Sequence, residues 1–382
     1  MINILFLSVL CLATITSHGV DGSHSTLNED LELERQPKLI NKPPIKSILT
    51  KFGYIVDCID INKQPAFDHP LLKNHTLQRQ PSFYIKKEKT SVKNSPTKSI
   101  FELDEVECPT ETVPIQRTTK DDFIRAKSLW NDTILATAVR HIATVSLKVA
   151  PGEHYYAVSG TTNVYNPKIS NGQATSSHVY IQSGDGTNKI LAGWHVSPHI
   201  YGDDKTHLFV AWTSDNFKNT GCYNVQCKGF VQIESHYYAG AAIRPTSTYG
   251  GPMVNMAIEI WQETDRWWVS INNYVVGNFP LALFTNLKAA AEVGWGGGTI
   301  AIGVPNPPMG SGHFPDDDFS HAGYFINMGY RNVLRSAYIG PAKSSVQENV
   351  DAPNCYRVKY DENSHFGGHA LQFGGPGGNC NS

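Results

Sequence analysis

The sequence predicts a mainly β fold, with many short antiparallel strands closing into a sandwich or barrel behind a smaller N-terminal segment. Three observations carry that expectation. From His154 onward, short runs have the texture of strands, as in Tyr155-Tyr156-Ala157-Val158, His178-Val179-Tyr180-Ile181, Leu208-Phe209-Val210-Ala211-Trp212 and Trp267-Trp268-Val269-Ser270-Ile271. Turn signals separate them, among them Ser183-Gly184-Asp185-Gly186, Tyr249-Gly250-Gly251-Pro252 and Gly374-Gly375-Pro376-Gly377-Gly378. Composition agrees: charged residues are only 17%, and 32 Gly with 17 Tyr suit strands and tight turns better than long helices.

Taken in order, residues 1–20 read as an export signal. An apolar run from Ile4 to Ile15 is too short to cross a bilayer, and small or polar Thr16, Ser17 and Gly19 follow it. Residues 21–44 are polar and mixed in charge, ending in Pro43-Pro44, and are expected to form a flexible leader. A compact unit over 45–135 begins with apolar Ile45, Ile48, Leu49, Phe52, Ile55 and Val56 and runs into Cys58. Residues 85 to 99, rich in Lys, Ser and Pro, read as a linker or loop, and Cys108 returns the chain to the first segment if it pairs with Cys58. Asp121 to Trp130 suits a short helix with acidic residues at its positive end. The strand-rich domain occupies 150–382, with one further helix expected from Leu281 to Glu292 around Lys288-Ala289-Ala290-Ala291.

Composition also limits function. A formal net charge of -2 with few charged residues gives no basic surface for nucleic acid. No second apolar run approaches membrane-spanning length, so neither a membrane nor a nucleic acid is an expected partner. Cys11 falls inside the signal, leaving Cys58, Cys108, Cys222, Cys227, Cys355 and Cys380. An even number in an exported chain implies disulfides; many connectivities are open, and neighbourhood makes Cys58–Cys108, Cys222–Cys227 and Cys355–Cys380 the simplest. Asn74-His75-Thr76 and Asn131-Asp132-Thr133 are glycosylation sequons, so Asn74 and Asn131 are candidate acceptors.

Common chemistries fit poorly. Gly296-Gly297-Gly298 lacks the flanking pattern of a phosphate cradle and reads as a close backbone approach. His195, His199 and His207 with Asp203 and Asp204 are metal-ligating types, but Pro198 breaks any helix that would present them together, and no metal or other cofactor is expected. No Gly-x-Ser-x-Gly elbow exists, and Gly310-Ser311-Gly312-His313 reads as a turn. Paired cysteines leave no thiol nucleophile.

Longer phrases are more specific. Val56-Asp57-Cys58-Ile59-Asp60-Ile61, Lys63 to Thr76 and Glu107-Cys108-Pro109 resemble the activation propeptide of the neprosin family. Ala192-Gly193-Trp194, Thr220-Gly221-Cys222-Tyr223-Asn224, Gly229-Phe230-Val231-Gln232, Met309 to Pro315 and Ala352-Pro353-Asn354-Cys355-Tyr356 resemble its catalytic domain. The resemblance implies an antiparallel β-sandwich peptidase-like domain preceded by a small N-terminal propeptide domain. It implies a plant protein, secreted to the extracellular space or vacuole and made as a zymogen, related to glutamic endopeptidases that cut after proline in acid.

In such enzymes one carboxylate activates water while the other, protonated, polarises the carbonyl or donates to the leaving group. Two carboxyls in one cleft push their pKa values apart, which suits acid. The resemblance places those glutamates at Leu191 and Gly298, neither of which moves a proton. Glu292, Glu234 and Glu259 are the carboxylates weighed as substitutes, with Glu292 roughly 20 Å from Gly298 along a strand. The expected function is a pseudoprotease that binds a peptide or protein ligand, proline-containing peptides foremost, in a groove lined by Trp194, Trp295 and His195. The alternatives are an acid endopeptidase with shifted catalytic groups, His195 among them, or a diverged paralogue without a ligand.

Overall fold

A computed structural model describes residues 41–82, 102–103, 105–129, 138–150, 152–226, 228–365 and 368–380. The expected export signal, most of the leader, the Asn131 sequon and Cys227 lie outside these residues. In chain order the strands are β1 Lys46–Leu49, β2 Ile55–Asp60, β3 Glu102–Leu103 and β4 Thr112–Gln116, followed by helix α1, Lys120–Leu129. There follow β5 Ala138–Lys148, β6 Ala157–Asn163, β7 Gln173–Gln182 and β8 Lys189–Val196, with the one-turn α2 at Pro198–Tyr201. Then come β9 Thr206–Thr213, β10 Cys222–Tyr223, β11 Val231–Gln232, β12 Ile243–Arg244, β13 Asn255–Glu263, β14 Arg266–Ile271 and β15 Tyr274–Pro280. The last are β16 Glu292–Ile302, β17 Gly323–Arg331, β18 Gln347–Val350, β19 Arg357–Ser364 and β20 Gly368–Gly374.

Two antiparallel sheets make the body: seven strands in the order β10-β9-β8-β7-β16-β5-β18, and eight in the order β11-β15-β14-β13-β6-β17-β20-β19. Alternation decides which side of each strand enters the core. Val179, Ile190, Ala192, Trp194, Val210, Val293 and Trp295 from the first sheet meet Val158, Met256, Ile260, Trp267, Phe325 and Phe373 from the second. Two indoles cross the gap to the same strand: Trp194 Nε1 donates to Asn163 O and Trp295 Nε1 to Ser159 O, both at 2.8 Å. Gly160 makes room for Trp295 and Phe325, since a Cβ there would sit 3.1 Å from the Trp295 ring and 3.0 Å from Phe325.

The N-terminal segment has its own sheet, β1-β2-β4, stapled by Cys58–Cys108. The 50-residue separation makes that staple worth on the order of 4 kcal/mol in the chain-entropy view. Cys355–Cys380 also forms, and Cys222 is disulfide-bonded. Helix α1 starts at a reciprocal cap, with Thr119 Oγ1 accepting from Asp122 N at 3.1 Å and Asp122 accepting from Thr119 N at 2.7 Å. The expected helix ended at Trp130, which lies outside the described residues.

The helix expected from Leu281 to Glu292 does not form. One 3-10 turn, Leu281–Leu283, gives way to extended chain, and Glu292 opens β16. Ala290 exchanges both backbone hydrogen bonds with Tyr155, and Ala291 N donates to Gln182 O at 2.9 Å. Neighbouring sheet edges claim the alanine run, overriding a propensity worth a few tenths of a kcal/mol per residue.

The segment is not a separate ball. Val56, Ile59, Leu72, Val113 and Ile115 belong to the same continuous core as the sandwich. Gln64 joins the two: its Oε1 accepts from Gln232 N at 2.8 Å and its Nε2 donates to Gln232 O at 3.0 Å, as a strand partner would. Both side chains are buried. Gln64→Ala therefore orphans a buried N–H and C=O and is expected to destabilise the chain by about 2 kcal/mol. Urea unfolding checks this; an unchanged midpoint would mean water takes over both bonds.

Candidate functional site

With Trp194 and Trp295 facing inward, the intervening residues of β7, β8 and β16 form the opposite, outer face of the seven-stranded sheet. Strand pairing arranges them in rows: Lys189–Gln182–Glu292, Leu191–Tyr180–Gly294, Gly193–His178–Gly296 and His195–Ser176–Gly298. Leu191 and Gly298 thus share a face two strands and four residues apart, roughly 17 Å between Cα atoms on a flat sheet. His178 lies midway between them.

Three outer-face glycines on β16 differ in the space they leave. A Cβ at Gly294 would overlap the Tyr180 ring, and one at Gly296, at φ 145°, would overlap Ala143 O. A Cβ at Gly298 meets only ordinary contacts: His178 Cε1 and Ser176 Oγ at 3.6 Å, His141 O at 3.7 Å. Of these three, Gly298 alone has room for a side chain.

Glu292 is the carboxylate at one end of this face. Its Oε1 accepts from Tyr180 Oη at 2.7 Å, its Oε2 from Gln182 Nε2 at 3.4 Å, and Lys148 Nζ stands 3.9 Å away. Burial, reinforced by Glu292, pushes the Tyr180 phenol far above its ordinary value, so it remains a donor. Lys189 Nζ lies 5.5 Å over the Tyr180 ring, and burial lowers its pKa. Gln182, Asp185, Lys148 and Glu292 border a cavity of about 330 Å³ there. Glu234 follows β11 and Glu259 sits on β13; neither lies on the sheet that carries Leu191.

The histidine centre is built differently. Ser176 Oγ lies 3.2 Å from both Gly298 O and His178 Nδ1. A carbonyl only accepts, so the hydroxyl proton goes to Gly298 O, and Oγ accepts the proton of Nδ1. That assigns the lone pair to Nε2. It also leaves Ser176 without a base, so the pair is not an activated nucleophile.

His178 is 7% exposed, and burial followed by Lys189 lowers its pKa to about 3. Phe209 and Tyr180 approach its ring at 6.2 Å between centroids.

The expectation that Trp194, Trp295 and His195 line a groove is corrected by their burial. Both indoles are wholly enclosed in the core. His195 is on the outer face but covered: it stacks on Phe209 at 4.5 Å, and its Nε2 is bound to the Tyr201 hydroxyl. Burial holds its pKa well below the ordinary histidine value. His207 Nδ1 lies 2.8 Å from Gly240 O and its Nε2 3.0 Å from Asp203. Among the described residues no three His, Cys, Asp or Glu are placed to hold a metal ion. Ser311 Oγ donates to His321 O at 2.6 Å, within a turn. Asn74, the other sequon, is exposed.

Sequence reasoning did not find Ser176, His178 and Tyr180. Their alternation was visible, but only the pairing of β7 between β8 and β16 puts them between Leu191 and Gly298.

Two family models match: Neprosin over residues 171–376 and Neprosin activation peptide over residues 47–159. The chain belongs to the neprosin family. Among solved structures it is similar to the scytalido-glutamic peptidase with a transition state analog inhibitor, at 12% identity and a TM-score of 0.35, covering 63% of this chain and 99% of that one. SCP-B, a member of the Eqolisin family of peptidases in a complex with the tripeptide Ala-Ile-His, gives 12% identity and 0.34 over the same shares. A tetrameric galectin from Cinachyrella sp. gives 11% and 0.25, covering 51% of this chain and 99% of that one. These are loose likenesses.

The buried imidazoles of this neprosin-family chain set its response to acid. His178 and His195 are neutral when folded, with pKa values below their unfolded value near ~6.5. The unfolded chain therefore takes up protons first, and stability falls as pH drops from about 6.5 toward the folded values. Asp203 runs oppositely: hydrogen bonds and charge from His207, with help from Tyr54, overcome burial and hold it to about 2. Its contribution is complete above the unfolded value near ~3.8 and is lost as pH falls through about 2. His178→Asn is expected to flatten the fall between about pH 6 and pH 4 by about 1.4 kcal/mol per pH unit. Unfolding curves across that range check it, and a variant slope equal to wild type overturns it.

Proposed function

We propose that this neprosin-family chain is an exported pseudoprotease: it folds as a peptidase, binds extended peptides on the outer face of β7, β8 and β16, and does not cut them. One observation carries the reading. At the two positions where the resemblance puts the catalytic glutamates, this face presents an isobutyl group and a hydrogen atom. Each missing acid or base is worth on the order of 10²–10⁴ in rate, so losing both leaves binding. Disulfides and the expected N-terminal signal support passage through an oxidising, secretory compartment, with the extracellular space or vacuole as destination. Proline-containing peptides are the proposed ligands, by analogy with the family's cleavage preference.

A shifted active site centred on Glu292 is the competing reading. In its favour, Glu292 is closer to Leu191 than Gly298 is, at roughly 12 Å on a flat sheet. Against it, the carboxylate is already bound by Tyr180 and Gln182, and the Asp185 carboxylate that borders the same cavity is taken up by Ser183 and Thr187. His195 as a replacement base is disfavoured by its cover of Phe209 and its bond to Tyr201.

Digestion of a proline-containing peptide library between about pH 3 and pH 7 decides between them. The wild-type chain is expected to leave the library intact. The Leu191→Glu/Gly298→Glu double variant is expected to gain cleavage, because Gly298 has room for a side chain and Leu191 is a half-exposed position on the same face. Cleavage by wild type that is abolished by Glu292→Gln would replace this reading with the shifted one.

A further inference from the structure

We infer that His178 is the polar contact of the groove, its Nε2 lone pair accepting a backbone N–H from an extended peptide laid along the face. The inference rests on the peptide-binding reading above and names the group that does the binding.

Its first support is the row in which His178 sits. The cross-strand neighbours are Gly193 on β8 and Gly296 on β16, so neither puts a side chain beside the imidazole, and Phe209 on β9 reaches over Gly193 to within 6.2 Å of it between ring centroids. Neither glycine could be replaced without overlap against backbone, of Ser177 in one case and Ala143 in the other. The sheet's own backbone fills those Cβ directions, so the surface on either side of the ring stays low, which lets another backbone approach closely.

The second support is the hydrogen-bond pattern. Gly298 O takes the Ser176 proton, Ser176 Oγ takes the Nδ1 proton, and Nε2 is left as an acceptor. Among the described residues Nε2 has no hydrogen-bond partner, and it is not sealed from solvent. An acceptor in an apolar setting beside Phe209 selects a ligand that brings a donor. A peptide N–H qualifies, whereas an ionised carboxylate brings only lone pairs.

The third is position. The ring stands 3.6 Å from the Cβ site of Gly298, beside the place where a family glutamate would begin, and halfway to Leu191. The titratable groups around it are Lys189 and His195 on β8, Tyr180 on its own strand and Glu292 on β16. Lys189 and burial both favour the neutral ring, so the acceptor persists well into acid.

The test measures fluorescence polarisation of a labelled pool of proline-containing peptides with the full chain. Wild type is expected to bind at constant affinity from about pH 7 to about pH 4 and to weaken toward pH 3, as the imidazole gains a proton. His178→Phe keeps the ring but removes the acceptor and is expected to bind about tenfold more weakly. Ser176→Ala frees the tautomer and is expected to fall between.

A ¹⁵N spectrum of wild type supplies a readout that does not depend on a folded variant. Nε2 is expected at the position of an unprotonated ring nitrogen and to move when the peptide pool is added. Undiminished binding by a folded His178→Phe, or a protonated Nε2 in wild type, overturns the inference and leaves peptide binding standing. Absence of any binding by wild type brings down the peptide-binding reading and this inference together.

Discussion

Everything on the candidate face depends on two indoles on the other side of it. Trp194 and Trp295 each send an N–H across the gap between the sheets to a carbonyl of β6. A buried indole contributes a large apolar area, and an unpaired N–H there would forfeit part of it. Satisfying both fixes which side of β8 and β16 is core. Because side chains alternate, Leu191, Gly193 and His195 then face outward with Gly294, Gly296 and Gly298. A one-residue slip of either strand would put the glycines inside and the tryptophans in water. Packing therefore fixes Leu191 and Gly298 on the outer face, and side chains there can change without disturbing it.

The N-terminal segment is held by the same economy of backbone groups. Gln64 offers Gln232 the pair of bonds a neighbouring strand would, and β3 adds two residues to β12. Farther along, Tyr54 at the β1–β2 turn donates to Asp203, Lys205 Nζ reaches Tyr54 Oη at 3.2 Å, and Asp203 also faces His207. These contacts are polar and concentrated at a few residues, while Val56, Ile59 and Val113 add apolar burial beneath them. A segment attached in this way behaves as part of the core and is costly to remove.

What could be read from the sequence follows from what is local. Strand texture, turn chemistry and the capped helix near Asp121 are carried by neighbours within a few residues, so they were legible. The stretch from Leu281 to Glu292 misled because alanine favours a helix by tenths of a kcal/mol, while Ala290 and Ala291 each complete backbone pairs with distant strands. Trp194 and Trp295 misled in the opposite sense: their closeness in sequence to Leu191 and Gly298 suggested a groove, but residues an odd number of positions apart on a strand point to opposite faces. His178 could not be singled out, because its importance comes from strand order, which no run of residues states.

On the reading proposed above, Leu191 and Gly298 stand where the family glutamates would, and the two differ in what they leave on the face. At Gly298 there is no side chain, and the nearest groups stay at van der Waals distance from where one would begin. At Leu191 a branched apolar chain adds surface on a half-exposed site. Two carboxyls facing one cleft repel each other and resist desolvation, a standing cost to the fold that catalysis requires. On that reading a face without the two carboxyls is spared that cost, and the neutral His178 imidazole between the positions adds none of the same kind. Without a proton-transfer step, the proposed reading ties the face to acid by no chemistry of its own. What that reading asks of the face is shape and a single acceptor, and neither depends on a carboxyl at Leu191 or Gly298.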